Sequence, residues 1–253
     1  MTEIASRDLA RREREWHEHH LPGVGSTKVR AFSEYWETPG GRVRYTRRLE
    51  MIRRTLSEQV RDVLLIGCGY GSWISDLLAM SLRVRAIDIS PSMISKAATQ
   101  HGVMGGSVMC ADAHELPFSE SAFDAVISIS TLHHLVPTIA VPELRRVLRS
   151  PGILLGSEPN FLNPQVRWML SSSARRQRGG LTPDETAFRK AELASELRRS
   201  FEEVSVTPFD FWHPRLGYRR EGHPLITLVR TLEFVPVFRE YAGSLWFMAR
   251  RVT

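Results

Sequence analysis

The stretch "VLLIGCGYGSW", residues 63–73, constrains the fold more than any other part of this sequence. Four consecutive apolar residues lead into glycines at three alternate positions, Gly67, Gly69 and Gly71. Glycine adopts backbone angles that other residues avoid, and it lets another molecule lie directly against the main chain. The pattern therefore predicts a buried strand that ends in a sharply bent, ligand-accessible loop.

The same alternation of apolar β-rich runs and helical patterns continues to residue 157 and predicts a mostly parallel sheet flanked by helices. The predicted strands are 63–66, 84–88, 107–110, 124–130 and 153–157, and the intervening helices are 73–80, 92–100 and 141–148. Two later strands are expected at 201–209 and 244–252. With no crossover helix evident between them, the last strand is expected to be antiparallel.

The flanking segments differ in pattern from this central region. Residues 1–56 are predicted to be helical, with turns at residues 22–23 and 39–41, and they form an N-terminal lid segment in our division of the chain. Residues 57–253 form the main domain, with insertions near 160–186 and 210–240. A helix is expected over 186–199, and its buried side would consist of Ala187, Ala191, Leu193, Ala194 and Leu197.

Composition excludes several classes of protein. The net charge of +6 comes almost entirely from arginine, but the arginines are scattered in pairs and no nucleic-acid-binding motif accompanies them, so nucleic acid is an unlikely partner. No apolar run approaches the ~20 residues that span a bilayer, and the N-terminus lacks the apolar core of a signal peptide. The two cysteines, Cys68 in the loop and Cys110 in an expected buried strand, do not suggest a disulfide framework, which favours the cytoplasm.

The strand, glycine loop, helix and second strand ending in Asp88 form an arrangement typical of nucleotide binding. The loop would place a ligand at a helix N-terminus, and the Asp88 carboxylate could accept hydrogen bonds from two ribose hydroxyls. The glycine spacing departs from the G-x-G-x-x-G of nicotinamide-binding proteins, because Ser72 follows Gly71, and no Gly-Lys-Ser/Thr of a phosphate-binding loop is present.

Four stretches in order carry a family resemblance: "VLLIGCGYG", "AIDISPSMI", "CADAHELPFSESAFDAVISISTLHHL" and "ELRRVLRSPGILLGSEPN". They cover residues 62–160, and with them the chain resembles the class I S-adenosylmethionine-dependent methyltransferases, in particular the ubiquinone/menaquinone-type and small-molecule group. The resemblance implies a Rossmann-like, seven-stranded, mostly parallel sheet with helical N-terminal and cap insertions. It also implies S-adenosylmethionine as cofactor and S-adenosylhomocysteine as product.

The resemblance further implies which residues bind the cofactor. Gly67, Cys68 and Gly69 would lie under its methionine part and ribose, and Asp88 would hold the ribose hydroxyls. The remaining expected contacts are Ile89, Met93, Asp112, Ala113 and Ile129. One departure is Leu65, since many relatives carry aspartate two residues before the first loop glycine.

Methyl transfer from a sulfonium is an in-line displacement, so alignment matters more than covalent catalysis. A base is needed only for an acceptor that is protonated. His133 and His134, which follow the fourth strand, are the candidate bases. The acceptor-side candidates are Tyr35, Trp36, Glu158, Asn160, Trp212 and His213. Cys68 is interpreted as a small buried residue rather than a nucleophile.

A metal site is suggested by His17, His19 and His20, but no second ligand cluster in the sequence completes it, so we predict no metal and an exposed helix face. The aromatic-rich residues 209–238 could form a lid over a hydrophobic or aromatic small-molecule acceptor, a homodimer contact or a peripheral membrane contact. The alternatives to a small-molecule methyltransferase are an RNA-modifying methyltransferase, a non-catalytic cofactor-binding protein and a nicotinamide oxidoreductase.

Overall fold

A computed structural model describes residues 3–20, 36, 38–101, 107–210 and 231–253. The helices are α1 (Glu3–His20), α2 (Pro39–Thr55), α3 (Ile74–Ala79), α4 (Pro91–His101), α5 (Pro137–Val147), α6 (Pro164–Leu170), α7 (Ser173–Gly179), α8 (Lys190–Arg198) and α9 (Pro236–Arg239). The strands are β1 (Asp62–Ile66), β2 (Arg83–Asp88), β3 (Val108–Cys110), β4 (Phe123–Ile129), β5 (Leu148–Pro159), β6 (Glu203–Phe209) and β7 (Ser244–Arg251). Short 3₁₀ turns lie at Leu132–His134 and Leu232–Phe234. Among the described helices, none combines the length and apolarity that crossing a membrane requires.

The strands form one seven-stranded sheet in the order β3-β2-β1-β4-β5-β7-β6. Strands β1 to β5 run parallel to one another, and β7 is antiparallel to both β5 and β6. The predicted α/β architecture, with a mostly parallel sheet and an antiparallel last strand, is confirmed. The order of the strands changes direction between β1 and β4, and the carboxyl ends of these strands are where open α/β sheets bind ligands.

The core lies on both faces of this sheet. Val63 and Leu65 of β1 belong to one buried cluster, and Leu64 and Ile66 belong to the other. A strand covered by helices on both faces is apolar at every position rather than at alternate ones. This explains why "VLLI" is an unbroken apolar run, and it fixes the glycine loop at the end of a fully buried strand.

Residues 39–41 were predicted to form a turn but form the first turn of α2. Thr38 caps this helix, since its hydroxyl accepts a hydrogen bond from the Gly41 N–H at 3.0 Å. Proline is favoured at the first position of a helix because its fixed φ suits the helix and its missing N–H is not needed there. The prediction was wrong because the same residues can end one element or begin the next.

The segment 160–186, which the sequence did not assign to any element, contains α6 and α7. Asn163 and Ser172 cap these two helices by accepting hydrogen bonds from backbone N–H groups in the first turn. Helices this short have too few residues to show a clear apolar period. The next helix, α8, begins at Lys190 rather than at residue 186, and Ala191 is exposed, contrary to the predicted buried side.

Cys110 was expected in a buried strand, but it is exposed. It ends β3, a strand of three residues at the edge of the sheet. An edge strand has a neighbour on one side only, so its residues are less covered than those of β1 or β4.

A buried arginine joins the N-terminal region to the last strands. Arg48 of α2 is 1% exposed, and its guanidinium donates to Asp210 at 2.8 Å and to the hydroxyls of Ser157 at 3.0 Å and Ser244 at 2.8 Å. Arg44, one turn earlier, also pairs with Asp210. Helix α2 is therefore fixed to β5 and β7 by a network whose charges are all partnered.

Asp210 should make the stability of the protein fall in acid. Burial opposes ionisation of its carboxyl, but Arg44 and Arg48 outweigh burial and lower the pKa of Asp210 to about 2. Because the pKa is depressed in the folded state, the carboxylate stabilises the fold above about pH 4 and loses this contribution as the pH falls towards 2. The measurement is the free energy of unfolding of the wild type minus that of Asp210→Asn, which should shrink from about pH 6 to about pH 2.5. A difference that stays constant over this range would contradict the assignment.

Candidate functional site

The glycine loop after β1 adopts the conformation that the sequence predicted. Gly67, Gly69 and Gly71 have φ values of +61°, +54° and +85°, which side-chain-bearing residues rarely adopt. A Cβ on Gly67 would lie 2.2 Å from the Thr131 hydroxyl oxygen, so only glycine fits beside that side chain. A Cβ on Gly69 would meet nothing nearer than the Met93 sulfur at 4.0 Å. The backbone at Gly69 is therefore open on the side where a ligand would lie.

Asp88 at the end of β2 fixes the shape of this loop. Its carboxylate accepts hydrogen bonds from the Gly69 N–H at 2.8 Å and from the Ser90 N–H at 3.0 Å. The side chain is buried but still borders the adjacent cavity. Leu65, where the family resemblance implies an aspartate, lies in the core, so here Asp88 and Thr131 orient the loop.

A cavity of about 250 Å³ lies above the carboxyl ends of β1, β2 and β4. All nine residues that the resemblance assigned to the cofactor line it, namely Gly67, Cys68, Gly69, Asp88, Ile89, Met93, Asp112, Ala113 and Ile129. The sequence places these residues on four separate segments, and the sheet brings them to one surface. Their individual roles remain predictions.

Asp112 marks the end of the cavity assigned to the adenine. Its Oδ1 accepts hydrogen bonds from the His114 N–H at 2.9 Å and lies 2.7 Å from His114 Nδ1. Burial opposes ionisation, but these interactions with His114 outweigh it and lower the pKa of Asp112. The carboxylate is therefore ionised at neutral pH and can accept a hydrogen bond from an amino group.

Helix α1, the segment after α7 and the 3₁₀ turn after β4 contribute lining residues that the resemblance did not assign to the cofactor, and we call this part of the lining the acceptor end. Its lining comprises Ala10, Glu13, Trp16 and His17 of α1, Leu181, Thr182 and Glu185 after α7, and His133, His134 and Leu135 near the 3₁₀ turn. Trp36 and Trp73 also line the cavity, and their rings pack edge to face with centroids 5.5 Å apart. The acceptor end thus combines apolar walls with a group of histidines and glutamates.

His133, one of the two predicted bases, is held between two carboxylates. Its Nδ1 lies 2.5 Å from Glu158 Oε2, and its Nε2 lies 3.5 Å from Glu185 Oε1. Burial disfavours the charged ring, but Glu158 and then Glu185 outweigh burial and raise the pKa of His133 to about 10. This raised pKa favours the protonated ring, which is not a base, and the general-base role of His133 stays a prediction. His134 lines the cavity and stays a candidate.

Glu158 and Asn160 were predicted to face the acceptor, but neither lines the cavity. Both are buried and serve the scaffold. Glu158 accepts hydrogen bonds from the backbone N–H groups of Thr131 and Leu132, and Asn160 donates to the carbonyl of Ala242. Of the other acceptor-side predictions, Trp36 borders the cavity, whereas Tyr35, Trp212 and His213 lie outside the described residues.

His17 was expected on an exposed helix face, but it is half-buried and lines the cavity. Burial is the main cause that lowers the pKa of His17. The sequence showed the histidines of α1 but not their neighbours, because His134 and Glu185 come from distant parts of the chain. Four other lining residues were also missed, since nothing in their local pattern distinguishes them from ordinary helix or loop residues; they are Glu13, Trp16, Thr182 and Glu185.

Burial raises the pKa of the Cys68 thiol, which agrees with the interpretation that Cys68 is not a nucleophile.

Two alanine substitutions in the glycine loop should have different effects. Gly67→Ala should destabilise the fold, because the new methyl group would overlap the Thr131 side chain at a positive φ. Gly69→Ala should lower the stability only through the strain of alanine at a positive φ, on the order of 1 kcal/mol, because its methyl group would meet no atom nearer than 4.0 Å. That methyl group would, however, enter the cavity. We expect Gly69→Ala to fold and to lose ligand binding, as measured by thermal unfolding and calorimetry. Equal unfolding temperatures for the two variants would contradict this reading of the loop.

Comparisons with known proteins agree with this geometry. Residues 64–156 match the sequence model of the methyltransferase domain family. An uncharacterized methyltransferase of Mycobacterium tuberculosis is 33% identical over 122 residues, which cover 47% of this chain and 48% of that protein. A malonyl-[acyl-carrier protein] O-methyltransferase of Herminiimonas arsenicoxydans is 36% identical over 99 residues, or 36% of this chain and 34% of that protein. Each of these matches thus spans about half of the relative's own length or less.

The similarity of fold extends further along the chain. The solved structure of an S-adenosylmethionine-dependent methyltransferase of Thermotoga maritima, described as a possible histamine N-methyltransferase, superimposes with a TM-score of 0.63. The superposition covers 87% of this chain and 94% of that one at 19% identity. At this identity the likeness concerns the fold alone.

Proposed function

Because this chain carries a methyltransferase domain of the class I S-adenosylmethionine-dependent family, we propose that it transfers a methyl group from S-adenosylmethionine to a small acceptor with an apolar or aromatic body. The observation that carries the proposal is the single cavity lined by all nine expected cofactor contacts and, at its other end, by tryptophans and ionisable side chains. A donor and an acceptor that bind to adjoining parts of one lining would lie next to each other, as a transfer in one step requires.

The loop and its neighbours fit the proposed cofactor. The backbone at Gly69 is unobstructed, the Asp88 carboxylate borders the cavity, and Asp112 is ionised at the far end. Gly67, Gly69 and Asp88 would hold the methionine part and the ribose, with Asp112 and Ala113 at the adenine. The cofactor supplies a methyl group that is already activated by the positive sulfonium.

The chain's own contribution is then alignment and exclusion of water. Fixing two reactants in line can lower a barrier by ~7–11 kcal/mol. The buried side chains of Trp36 and Trp73 form a rigid wall, since Trp73 also stacks on Tyr45 with ring centroids 4.1 Å apart. This wall supports the proposal of an apolar acceptor body, because pockets for such ligands are lined by aromatic side chains with a few polar groups.

Two measurements test this function. Calorimetry with S-adenosylhomocysteine and with NAD⁺ should show binding of the first and none of the second. A screen of small acceptors with hydroxyl, amine or carboxyl groups, analysed by product mass, should then yield a product heavier by one methylene unit. Tight binding of NAD⁺ without a response to S-adenosylhomocysteine would overturn the proposal, whereas cofactor binding without any methylated product would favour a non-catalytic binding protein.

A further inference from the structure

Four ionisable side chains at the acceptor end face one another and are not needed to bind the cofactor. His133 and His134 come from the 3₁₀ turn after β4, Glu185 comes from the segment after α7, and Glu13 comes from α1. One donor atom each of His133, His134 and Glu185 lies within 4.8 Å of the other two. Three separate parts of the chain thus converge on one point of the cavity wall.

The separations between these donor atoms match those around a metal ion. Zinc binds histidine nitrogen and carboxylate oxygen at about 2.0–2.2 Å, so the ligands of a tetrahedral ion lie about 3.3–3.6 Å apart. His133 Nε2 lies 3.5 Å from Glu185 Oε1, and His134 Nδ1 lies 3.2 Å from Glu13 Oε2. His133, His134 and Glu185 are therefore close enough together for one ion, and Glu13 lies beside His134.

Glu13 provides an independent indication of a ligand. Its Oε1 accepts a hydrogen bond from the Thr182 hydroxyl at 2.8 Å. Its Oε2 lies 3.2 Å from His134 Nδ1 and 3.7 Å from His17 Nε2, but among the described residues neither Oε2 nor His134 Nδ1 makes a hydrogen bond of acceptable geometry, although both are buried. The Glu13 side chain is only 6% exposed, and a buried carboxylate oxygen without a partner is costly unless a cation or donor satisfies it.

The surroundings of His133 resemble those of a metal-binding histidine. Histidine ligands generally donate the other ring N–H to a carboxylate, which fixes the tautomer and the ring orientation. Glu158 Oε2 lies 2.5 Å from His133 Nδ1, and Glu158 Oε1 accepts backbone hydrogen bonds from Thr131 and Leu132. This arrangement directs Nε2 of His133 towards Glu185, where an ion could replace the proton of the ring.

We propose that His133, His134 and Glu185 bind a divalent cation of the zinc type, with Glu13 beside them. Two imidazoles and one carboxylate suit Zn²⁺ and leave a fourth position open, whereas Mg²⁺ prefers a shell of oxygen atoms and water. An ion at this wall would face the acceptor end and could bind a hydroxyl oxygen of the acceptor and lower its pKa. The competing explanation is a network of ion pairs that satisfies itself without a metal.

The test uses tag-free protein freed of metal with a chelator, without any cofactor, so that its result is independent of the proposed methyl transfer. Calorimetry with ZnCl₂ should show one site per chain, with at least about 100-fold weaker binding of Mg²⁺. His134→Ala and Glu185→Gln should each weaken zinc binding at least about 10-fold, as loss of an interaction that holds a metal commonly does. His19→Ala, an exposed histidine on the same helix as Glu13, and Cys110→Ser, an exposed thiol, should leave it unchanged.

A second measurement avoids dependence on the variants, which could fold poorly. Crystals of the wild type soaked in ZnCl₂ should show an anomalous scattering peak within about 2.3 Å of a ring nitrogen of His134 and a carboxylate oxygen of Glu185. Absence of stoichiometric zinc binding, binding that survives both substitutions, or a peak elsewhere would each overturn the metal site in favour of the ion-pair network.

Discussion

Asp88→Ala is expected to weaken the binding of S-adenosylhomocysteine roughly 100-fold or more. The carboxylate would bind two ribose hydroxyls, and a hydrogen bond to a charged group contributes about 1.5–3 kcal/mol, so the loss of two is about 3 kcal/mol or more. The substitution also removes the acceptor for the Gly69 and Ser90 N–H groups, which hold the loop in its binding conformation. Both effects act in the same direction. Calorimetry with S-adenosylhomocysteine measures the change.

The matched control for this prediction is Asp8→Ala. Asp8 is a surface carboxylate of α1 that pairs with Arg11 and Arg12 and does not line the cavity. Its removal should leave the affinity unchanged. Circular dichroism and thermal unfolding without ligand separate a local loss of binding from a loss of the fold. Full affinity in a folded Asp88→Ala protein would remove Asp88 from the cofactor site.

Arg48→Met is expected to lower the free energy of unfolding by about 3 kcal/mol or more, because removal of one partner of a buried ion pair costs about 3–5 kcal/mol. The substitution leaves Asp210 and the Ser244 hydroxyl with Arg44 alone, and it leaves the Ser157 hydroxyl without its guanidinium donor. Methionine fills much of the volume of the arginine stem, so the loss reflects the charge and hydrogen bonds rather than a cavity. The midpoint of urea unfolding gives the measurement.

Arg54→Met is the control on the same helix. Arg54 pairs with Glu50 one turn away, and both side chains are exposed. Exposed pairs of this kind contribute about 0.3–0.5 kcal/mol, so the unfolding midpoint should hardly move. Equal losses for the two arginine variants would show that Arg48 acts as an ordinary surface charge and not as the anchor of α2.

The residues expected around the cofactor could be named because each lies in one of the short stretches that carry the family resemblance, and all of them line one cavity. Val63–Ile66 of β1 and the glycines that follow identify both the strand and its loop within eleven consecutive residues, 63–73. In a parallel sheet the carboxyl ends of neighbouring strands meet at one edge. Once the strand order is known, Asp88 and Asp112 must therefore lie near Gly67, and the structure places all three at one cavity.

The acceptor end could not be predicted in the same way. Thr182 and Glu13 form a hydrogen bond although 169 positions separate them, and the sequence contains no periodic pattern that relates them. Glu158 shows the opposite error, because its position after β5 suggested the acceptor side while its side chain turns inward to His133. The direction of a side chain at the end of a strand depends on what packs beside it.

The sequence by itself determined the sheet and the glycine loop, because apolar periodicity and backbone strain act over a few consecutive positions. Tertiary structure alone decided which ionisable side chains share the acceptor end and in what charge state. The identity and the charge state of these side chains depend on distances between helices and loops that are remote in sequence. They also depend on how deeply each side chain is buried, which is set only when the chain has folded. His133 illustrates this division, since its position after β4 was evident, but its high pKa arises from Glu158 and Glu185, which only the fold brings to its ring.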